Sequence, residues 1–350
     1  MKNFDIIAVG DLAVDAFINI HEDNKHLLVD TKNEKLIFDF GEKIPYDSVT
    51  VTPAVGNSGN ASVSTARLGA SVVLLSNIGD DQNGKDCVDE LQKNNVDTTL
   101  VRTEAGKKTN YHFVLWYEVD RTILTKHEDF SYELGDVATK AVGENTPKWL
   151  YLTSLSEHSI PFHTQVAEWL AKNPQVKLAF QPGTYQIRFG AEKLAEIYKR
   201  AEIFFCNVQE ALEILQTDSP ASESVSGTEV SRPNVSTLLS GMAKLGPKIV
   251  VITDGIRGAY AFDSAKNEKW FVPCYPGEPP FERTGAGDAF ASTVVAMLAL
   301  GESLETALLS APVNAMSVTL FVGAQKGLLS QEKIKEYLAK APADYKLQKM

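Results

Sequence analysis

Short apolar runs alternating with amphipathic stretches set the plan of this chain. Residues 4–9, FDIIAV, read as a buried strand that stops at Gly10-Asp11. Next come a loop of small residues at 55–59, a helix at 60–68, a strand at 71–78 and a helix at 84–95. From Trp149 onward strand patterns at 149–152, 177–181, 203–206, 249–253 and 258–262 interleave with helix patterns at 161–173, 191–200, 209–215 and 236–245. Three more helices are predicted: one running on from Asp288 through Phe290, Val294, Val295 and Leu298 to a stop at Gly301, then 303–320 and 331–339. This alternation predicts an α/β fold with a doubly wound, mostly parallel sheet flanked by helices, and ligands at the carboxyl ends of its strands.

A second pattern interrupts the first. Residues 16–20 and 36–40 alternate apolar with polar, separated by a polar run at 21–33 that holds Leu27-Leu28-Val29. Residues 109–118 and 121–126 predict a further hairpin. Together they predict a small antiparallel β-sheet lid at 16–52 and 108–128, inserted in a main domain made of 1–15, 53–107 and 129–350. The stretch 217–235, rich in Ser, Pro, Asp and Glu, reads as a surface loop or partly ordered insertion. Neither an internal repeat nor a low-complexity tract interrupts the plan.

Composition narrows the function. With 350 residues and 44% apolar content, the chain can bury a full core. A formal net charge of −11 speaks against nucleic-acid binding, which needs a basic surface, but not against ATP. Cys87, Cys206 and Cys274 are odd in number and widely spaced, as expected of reduced thiols in a cytoplasmic protein. No segment has the roughly 20 apolar residues that a membrane span needs, and the N-terminus reads as a first strand, so neither a membrane partner nor a signal peptide is expected.

The chemistry concentrates at RTGAGDAF, Arg283 to Phe290. Gly285 and Gly287 lead into a helix, and a helix N-terminus offers free N–H groups and partial positive charge to an anion. Asp288 at its mouth is either a base that takes a proton from an attacking hydroxyl or a plain N-cap. Elsewhere, Asn207-Val208-Gln209-Glu210 follows a strand: a phosphate- and magnesium-organising pair, or a capping box. Thr253-Asp254-Gly255-Ile256-Arg257-Gly258 is a phosphate cradle or a glycine-rich hairpin turn. Gly56-Asn57-Ser58-Gly59-Asn60 supplies two amides for hydroxyls, or a turn with an Asn cap. Gly79 to Lys85 has Walker-A spacing, but Asp86 stands where a magnesium-binding hydroxyl belongs, so it reads as a strand–helix link. His158 and His163 lack a carboxylate partner at metal spacing.

In chain order the four motifs at 56–60, 207–210, 253–258 and 283–290 resemble those of the ribokinase-like (PfkB) family of sugar and nucleoside kinases, and the resemblance extends from Gly10 to about Gly327. It implies an ATP- and Mg2+-dependent kinase acting on a sugar hydroxymethyl group. Asp288 would be the base, with Gly285, Ala286 and Gly287 as the anion hole. Asp15, Asp11, Gly56, Asn57 and Asn60 would bind the acceptor; Asn207, Thr253, Gly255, Gly258 and Asn314 would serve ATP, and Glu210 would bind Mg2+ through water. Val55 departs from the family's glycine. Glu282 stands where many relatives carry Asp in a cation-binding loop, which leaves K+ open. A nucleoside acceptor is the alternative, its base slotted among Phe17, Phe38, Phe113 and Trp116; a homodimer through the lid is also expected. A third reading is a non-catalytic sugar or nucleotide sensor, against which the retained Asp288 and Glu210 speak. A Rossmann dehydrogenase is excluded by the lack of Gly-x-Gly-x-x-Gly after the first strand.

Overall fold

The computed structural model describes residues 4–20, 25–30, 35–117, 120–135, 137, 146–216 and 234–350. The predicted loop at 217–235 lies outside them up to residue 233. In chain order the strands are β1 (Ile6–Val9), β2 (Ala13–Asn19), β3 (Leu27–Asp30), β4 (Lys35–Phe38), β5 (Ser48–Val55), β6 (Val72–Gly79), β7 (Asp97–Glu104) and β8 (Asn110–Tyr117). They continue with β9 (Asp120–Leu124), β10 (Trp149–Leu152), β11 (Lys177–Phe180), β12 (Ala201–Asn207), β13 (Ile249–Thr253), β14 (Ala259–Asp263), β15 (Glu268–Val272) and β16 (Gln348–Lys349). The helices are α1 (Asn57–Arg67), α2 (Gln82–Lys93), α3 (Ile160–Lys172), α4 (Thr184–Phe189), α5 (Ala195–Arg200), α6 (Val208–Ile214), α7 (Val235–Lys244), α8 (Ala286–Ala299), α9 (Leu304–Val318) and α10 (Gln331–Ala339).

The main sheet runs β16-β15-β14-β13-β12-β11-β10-β1-β6-β7. Every pairing from β7 to β13 is parallel, and the last three strands are antiparallel. Both faces are covered because β1 is apolar on both. Ile6 and Ala8 enter a core with α1, α8 and α9, while Ile7 and Val9 enter one with α3, α5, α6 and α7. The doubly wound expectation holds. Strands β7 and β15 and helix α4 escaped the sequence reading, their apolar positions being too sparse to show a period.

The second sheet, β5-β2-β8-β9, differs from expectation in two ways. Residues 36–38 do not join it but pair with Leu27–Asp30 as a separate ribbon, and Ser48–Val55 takes the edge instead. The alternation Ser-Val-Thr-Val-Thr was there to be read, but Pro53 and Ala54 break it off before the glycines. The β2–β8 pair is also parallel, since β8 arrives after a crossover through the main domain and not by a hairpin. The sheet takes in Ala13 and Val55, so it starts and ends closer to the main domain than the limits 16 and 52.

The two sheets meet at α1, which begins at Asn57 because Gly56, at φ 92°, turns the chain directly out of β5. That turn puts Asn57 and Asn60 on the first helical turn. Gly59 packs so closely that a Cβ there would stand 2.3 Å from the Ala54 carbonyl oxygen and 2.9 Å from Leu12 Cδ1. Gly59→Ala is therefore expected to cost about 1–3 kcal/mol, as overpacking does. Denaturant unfolding measures it; an unchanged midpoint would show that β5 and α1 separate freely.

Candidate active site

Helix α8 begins at Ala286, so Asp288 lies inside the first turn and is not its N-cap; Gly285 holds that position without a side-chain cap. Gly285 sits at φ 82°, and a Cβ there would meet Ala324 Cβ at 2.4 Å. Its small size thus serves packing. Gly287 is different: it is exposed, and nothing lies within 4 Å of where its Cβ would be. The Ala286 N–H reaches back to the Arg283 carbonyl at 3.4 Å. The N–H groups of Gly287 and Asp288 have no carbonyl four residues back within the helix, and they form the open end of the dipole.

Asp288 is clamped by three amides. Asn57 Nδ2 donates to Oδ1 at 2.8 Å, Asn60 Nδ2 to Oδ2 at 2.8 Å and Gln181 Nε2 to Oδ1 at 3.0 Å. Gln181 follows β11 directly, and its Oε1 accepts the hydroxyl of buried Tyr151, which fixes which way the amide points. Burial pushes the Asp288 carboxyl above its ordinary range; the amides of Asn60, Gln181 and Asn57 and the charge of Arg121 pull it back in part. Arg121 stands on β9 opposite Trp116, so a cation of the second sheet reaches this site.

Around the end of β1 lie the other predicted acceptor residues. Asp11 and Asp15 are both buried. Asp15 faces His112, whose Nδ1 is 3.1 Å from Oδ1, and Asp11 accepts the Tyr132 hydroxyl. Gly56 works through Asp11: its Cβ would fall 2.8 Å from the Asp11 carbonyl oxygen. The proposed aromatic slot does not assemble. By strand alternation Phe17 and Trp116 share the face of Asp15 and His112, Phe113 points the other way, and Phe38 sits in the β3–β4 ribbon. Trp116 packs edge-on against Phe281, with ring centroids 5.1 Å apart.

On the phosphate side, Asn207 and Glu210 form a capping box: Asn207 Oδ1 accepts the Glu210 N–H at 2.9 Å, and the Asn207 N–H donates to Glu210 Oε2 at 2.8 Å. Burial first, and then the charge of Asp288, raise the Glu210 pKa against the hydrogen bond from the Asn207 N–H, which lowers it. Two carboxylates that disfavour each other's charge suit a divalent cation. Among the described residues no three His, Cys, Asp or Glu side chains gather as a metal cage. Thr253 ends β13, and Gly255–Arg257 form a 3-10 turn into β14. Gly255 is open, whereas a Cβ on Gly258 would strike the Val272 carbonyl oxygen at 2.5 Å, so Gly258 is a packing residue.

Asn314 corrects the expectation. It is fully buried, donating to Thr293 Oγ1 at 2.8 Å and Ser64 Oγ at 3.3 Å and accepting the Leu329 N–H at 2.9 Å, so its side chain reaches no open surface. The Walker-like stretch is a strand–helix link, with Asp81 capping α2 through the Gly84 N–H. His163 is buried and held near a pKa of about 4 by loss of solvation. Sequence reasoning missed Gln181, Tyr151, His112, His127, Tyr132 and Arg121. Only Gln181 carried a signal, its place at the carboxyl end of a parallel strand.

The profile of the pfkB family carbohydrate kinases matches residues 26–331. The chain is 23% identical over 347 residues to the 5-dehydro-2-deoxygluconokinase of Bacillus subtilis, covering 96% of each protein. It is 30% identical over 285 residues to the cytidine kinase of Thermococcus kodakarensis, covering 80% of this chain and 88% of that one. The structure of Arabidopsis thaliana ribokinase complexed with ribose and ATP superposes with a TM-score of 0.74 at 18% identity, over 96% of this chain and 99% of that one.

Because the Asn60 amide pulls the Asp288 carboxyl down, Asn60→Ala should move its titration to higher pH. Carboxyl carbon NMR of aspartate-labelled protein reads the midpoint directly. An unmoved or lowered midpoint would mean that this amide does not hold the carboxylate.

Proposed function

Because the chain belongs to the pfkB family of carbohydrate kinases, we propose that it transfers the terminal phosphoryl of ATP to a sugar hydroxymethyl group, with Asp288 as general base. The observation that supports this most is the occupancy of the Asp288 oxygens. Oδ1 receives two amide hydrogens and Oδ2 only one. A carboxylate has about four lone-pair sites, so Oδ2 retains one for the acceptor hydroxyl. The raised pKa makes it a stronger proton acceptor than an exposed aspartate. The N–H groups of the first turn of α8, with Gly287 open above them, would face the charge on the moving phosphoryl.

Residues Asn207, Thr253 and Gly255 would line the ATP side, and Glu210 would hold the water shell of Mg2+. ATP supplies the phosphoryl group, and Mg2+ neutralises its oxygens. Potassium belongs to the same reading through Glu282, buried in the loop before α8 and bonded to the Thr284 and Gly323 N–H groups. The second sheet acts as the lid, bringing Asp15, His112 and Arg121 over the acceptor and excluding water. Its reverse face exposes Val49, Val51, Phe113 and Leu124, an apolar row suited to a second copy of this chain.

Asp288→Ala is expected to lower kcat by about 10²–10⁴-fold, the usual contribution of a general base, with ATP affinity within about threefold of wild type. An ADP-release assay on a sugar and nucleoside panel, paired with ATP titration, measures both; near-native turnover would remove Asp288 from the role. In wild type, kcat/KM should fall on the acid side with an apparent pKa above that of an ordinary aspartate, since only the ionised form accepts the proton. Phe113→Asp should turn a dimer into a monomer by light scattering. A wild-type monomer would exclude the lid dimer.

A further inference from the structure

Which way the Asn60 amide points decides whether it holds Asp288 or repels it. An amide is nearly symmetrical in shape, but one end donates and the other accepts. Asn60 Nδ2 donates to Asp288 Oδ2 at 2.8 Å, while Asn60 Oδ1 accepts from Gln325 Nε2 at 3.1 Å. Gln325 Nε2 also donates to the Ala54 carbonyl oxygen at 2.7 Å. A main-chain carbonyl can only accept, so Gln325 must turn its nitrogen towards Ala54. The same nitrogen then requires the oxygen of Asn60, and the nitrogen of Asn60 is left to face Asp288. The order of donors and acceptors is set at Ala54 and passed through two amides to the carboxylate.

The backbone at Ala54 is held for this purpose from both sides. Its φ is 62°, a left-handed conformation that a residue with a side chain keeps only where its surroundings impose it. The Ala54 N–H donates to Cys87 Sγ at 3.2 Å, and its carbonyl accepts from Gln325. Ala54, Cys87 and Gln325 are all buried.

Gln325 is in turn anchored to the two helices it joins. Arg67, in the last turn of α1, donates to the carbonyls of Gln325 at 2.6 Å and Leu328 at 3.2 Å. The neighbouring Ala324 fills the space beside Gly285, the N-cap of α8. Asn60 stands near the start of α1 and Asp288 near the start of α8, so the segment after α9 ties together the two residues that must meet. Packing alone would be served as well by an apolar side chain of the same length, which has no polar group to bury. A reversed Asn60 would set its carbonyl against Asp288 Oδ2, the oxygen with a lone pair to spare for the acceptor.

We propose that Gln325 is a positioning residue for phosphoryl transfer: it fixes the Asn60 amide with its N–H towards Asp288, and so keeps the carboxylate aimed at the acceptor hydroxyl. It acts through Asn60. This rests on Asp288 as the general base and adds to that reading the residue that orients its clamp. The other ionisable groups that bear on Asp288 are Arg121 from the second sheet, Glu210 from α6 and the buried Tyr151 from β10, and none of them changes in the variants that follow.

Gln325→Glu tests the proposal in the full chain. A carboxyl at this position, ionised or protonated and bonded to Ala54, offers Asn60 a lone pair where the amide offered a hydrogen. Asn60 should turn over, and carboxyl carbon NMR should show the Asp288 midpoint raised by about one pH unit or more, no less than in Asn60→Ala. Only the ionised carboxylate accepts the proton, so the acid limb of kcat/KM in an ADP-release assay should move up with it, the ATP KM staying within about twofold. Gln325→Met, of similar length but without a donor or acceptor, should move both in the same direction by less, and it carries the test if Gln325→Glu does not fold. In an Asn60→Ala background either substitution should lose its effect on the midpoint, which separates positioning from the charge of a new carboxylate. An unmoved midpoint in a folded variant, or a shift of the same size without Asn60, would overturn the positioning role and leave Asp288 as the base. A midpoint that rises while the pH profile of turnover stays in place would overturn Asp288 as the base and leave the positioning standing.

Discussion

A half-buried carboxylate, Asp288, held by three neutral amides is the constraint on which this molecule is arranged. Desolvating such a group costs several kcal/mol, and each hydrogen bond to a charged oxygen returns about 1.5–3 kcal/mol. Three amides therefore come close to balancing the burial of Asp288 without cancelling it, which agrees in sign with its raised pKa. Neutral donors suit the task better than a lysine or arginine in contact, which would stabilise the ionised form and weaken it as a base. The amides come from two parts of the fold. Asn57 and Asn60 depend on the Gly56 turn, and Gln181 on the end of β11 and the hydroxyl of Tyr151.

The second sheet shows the same economy. Its period of two puts Asp15, Thr50, Thr52, His112 and Arg121 on one face, together with the buried Phe17, Val114 and Trp116, and Val49, Val51, Phe113 and Leu124 on the other. An ordinary half-buried sheet turns its apolar face inward. Here the inward face mixes buried apolar side chains with Asp15 and His112, and the outward face still exposes Val49, Val51, Phe113 and Leu124. The parallel β2–β8 pair matters to this, because it sets Asp15 and His112 side by side in one row. A slip of one residue in that pair would exchange His112 for Tyr111 or Phe113 beside Asp15.

Much of this was legible in the sequence, for definite reasons. Strands buried on both faces give unbroken apolar runs, and the Asp288 helix announced itself by two glycines and an apolar period, so the doubly wound plan and the place of Asp288 could be read from local pattern. The edge strand β5 could not, because Pro53 and Ala54 disturb its alternation just before the turn. His112, His127 and Tyr132 carry no local mark at all: their meaning arises only when β8 and the segment after β9 are laid against Asp15 and Asp11. Asn314 was misread for the opposite reason. A buried amide bonding across three elements looks in sequence like any ligand-facing asparagine.

The glycines of one motif differ in what surrounds them. Gly285 and Gly287 are two positions apart, and by sequence they form one anion hole. In the fold Gly285 makes room for Ala324, and only Gly287 faces open space. Gly255 and Gly258 divide in the same way, one open and one packed against Val272. In each pair one glycine fixes the local backbone and the other leaves it approachable. A substitution at the packed member must displace a neighbour, and one at the open member meets none. Small residues in this site therefore divide by what occupies the missing side chain's volume, which spacing along the chain does not reveal.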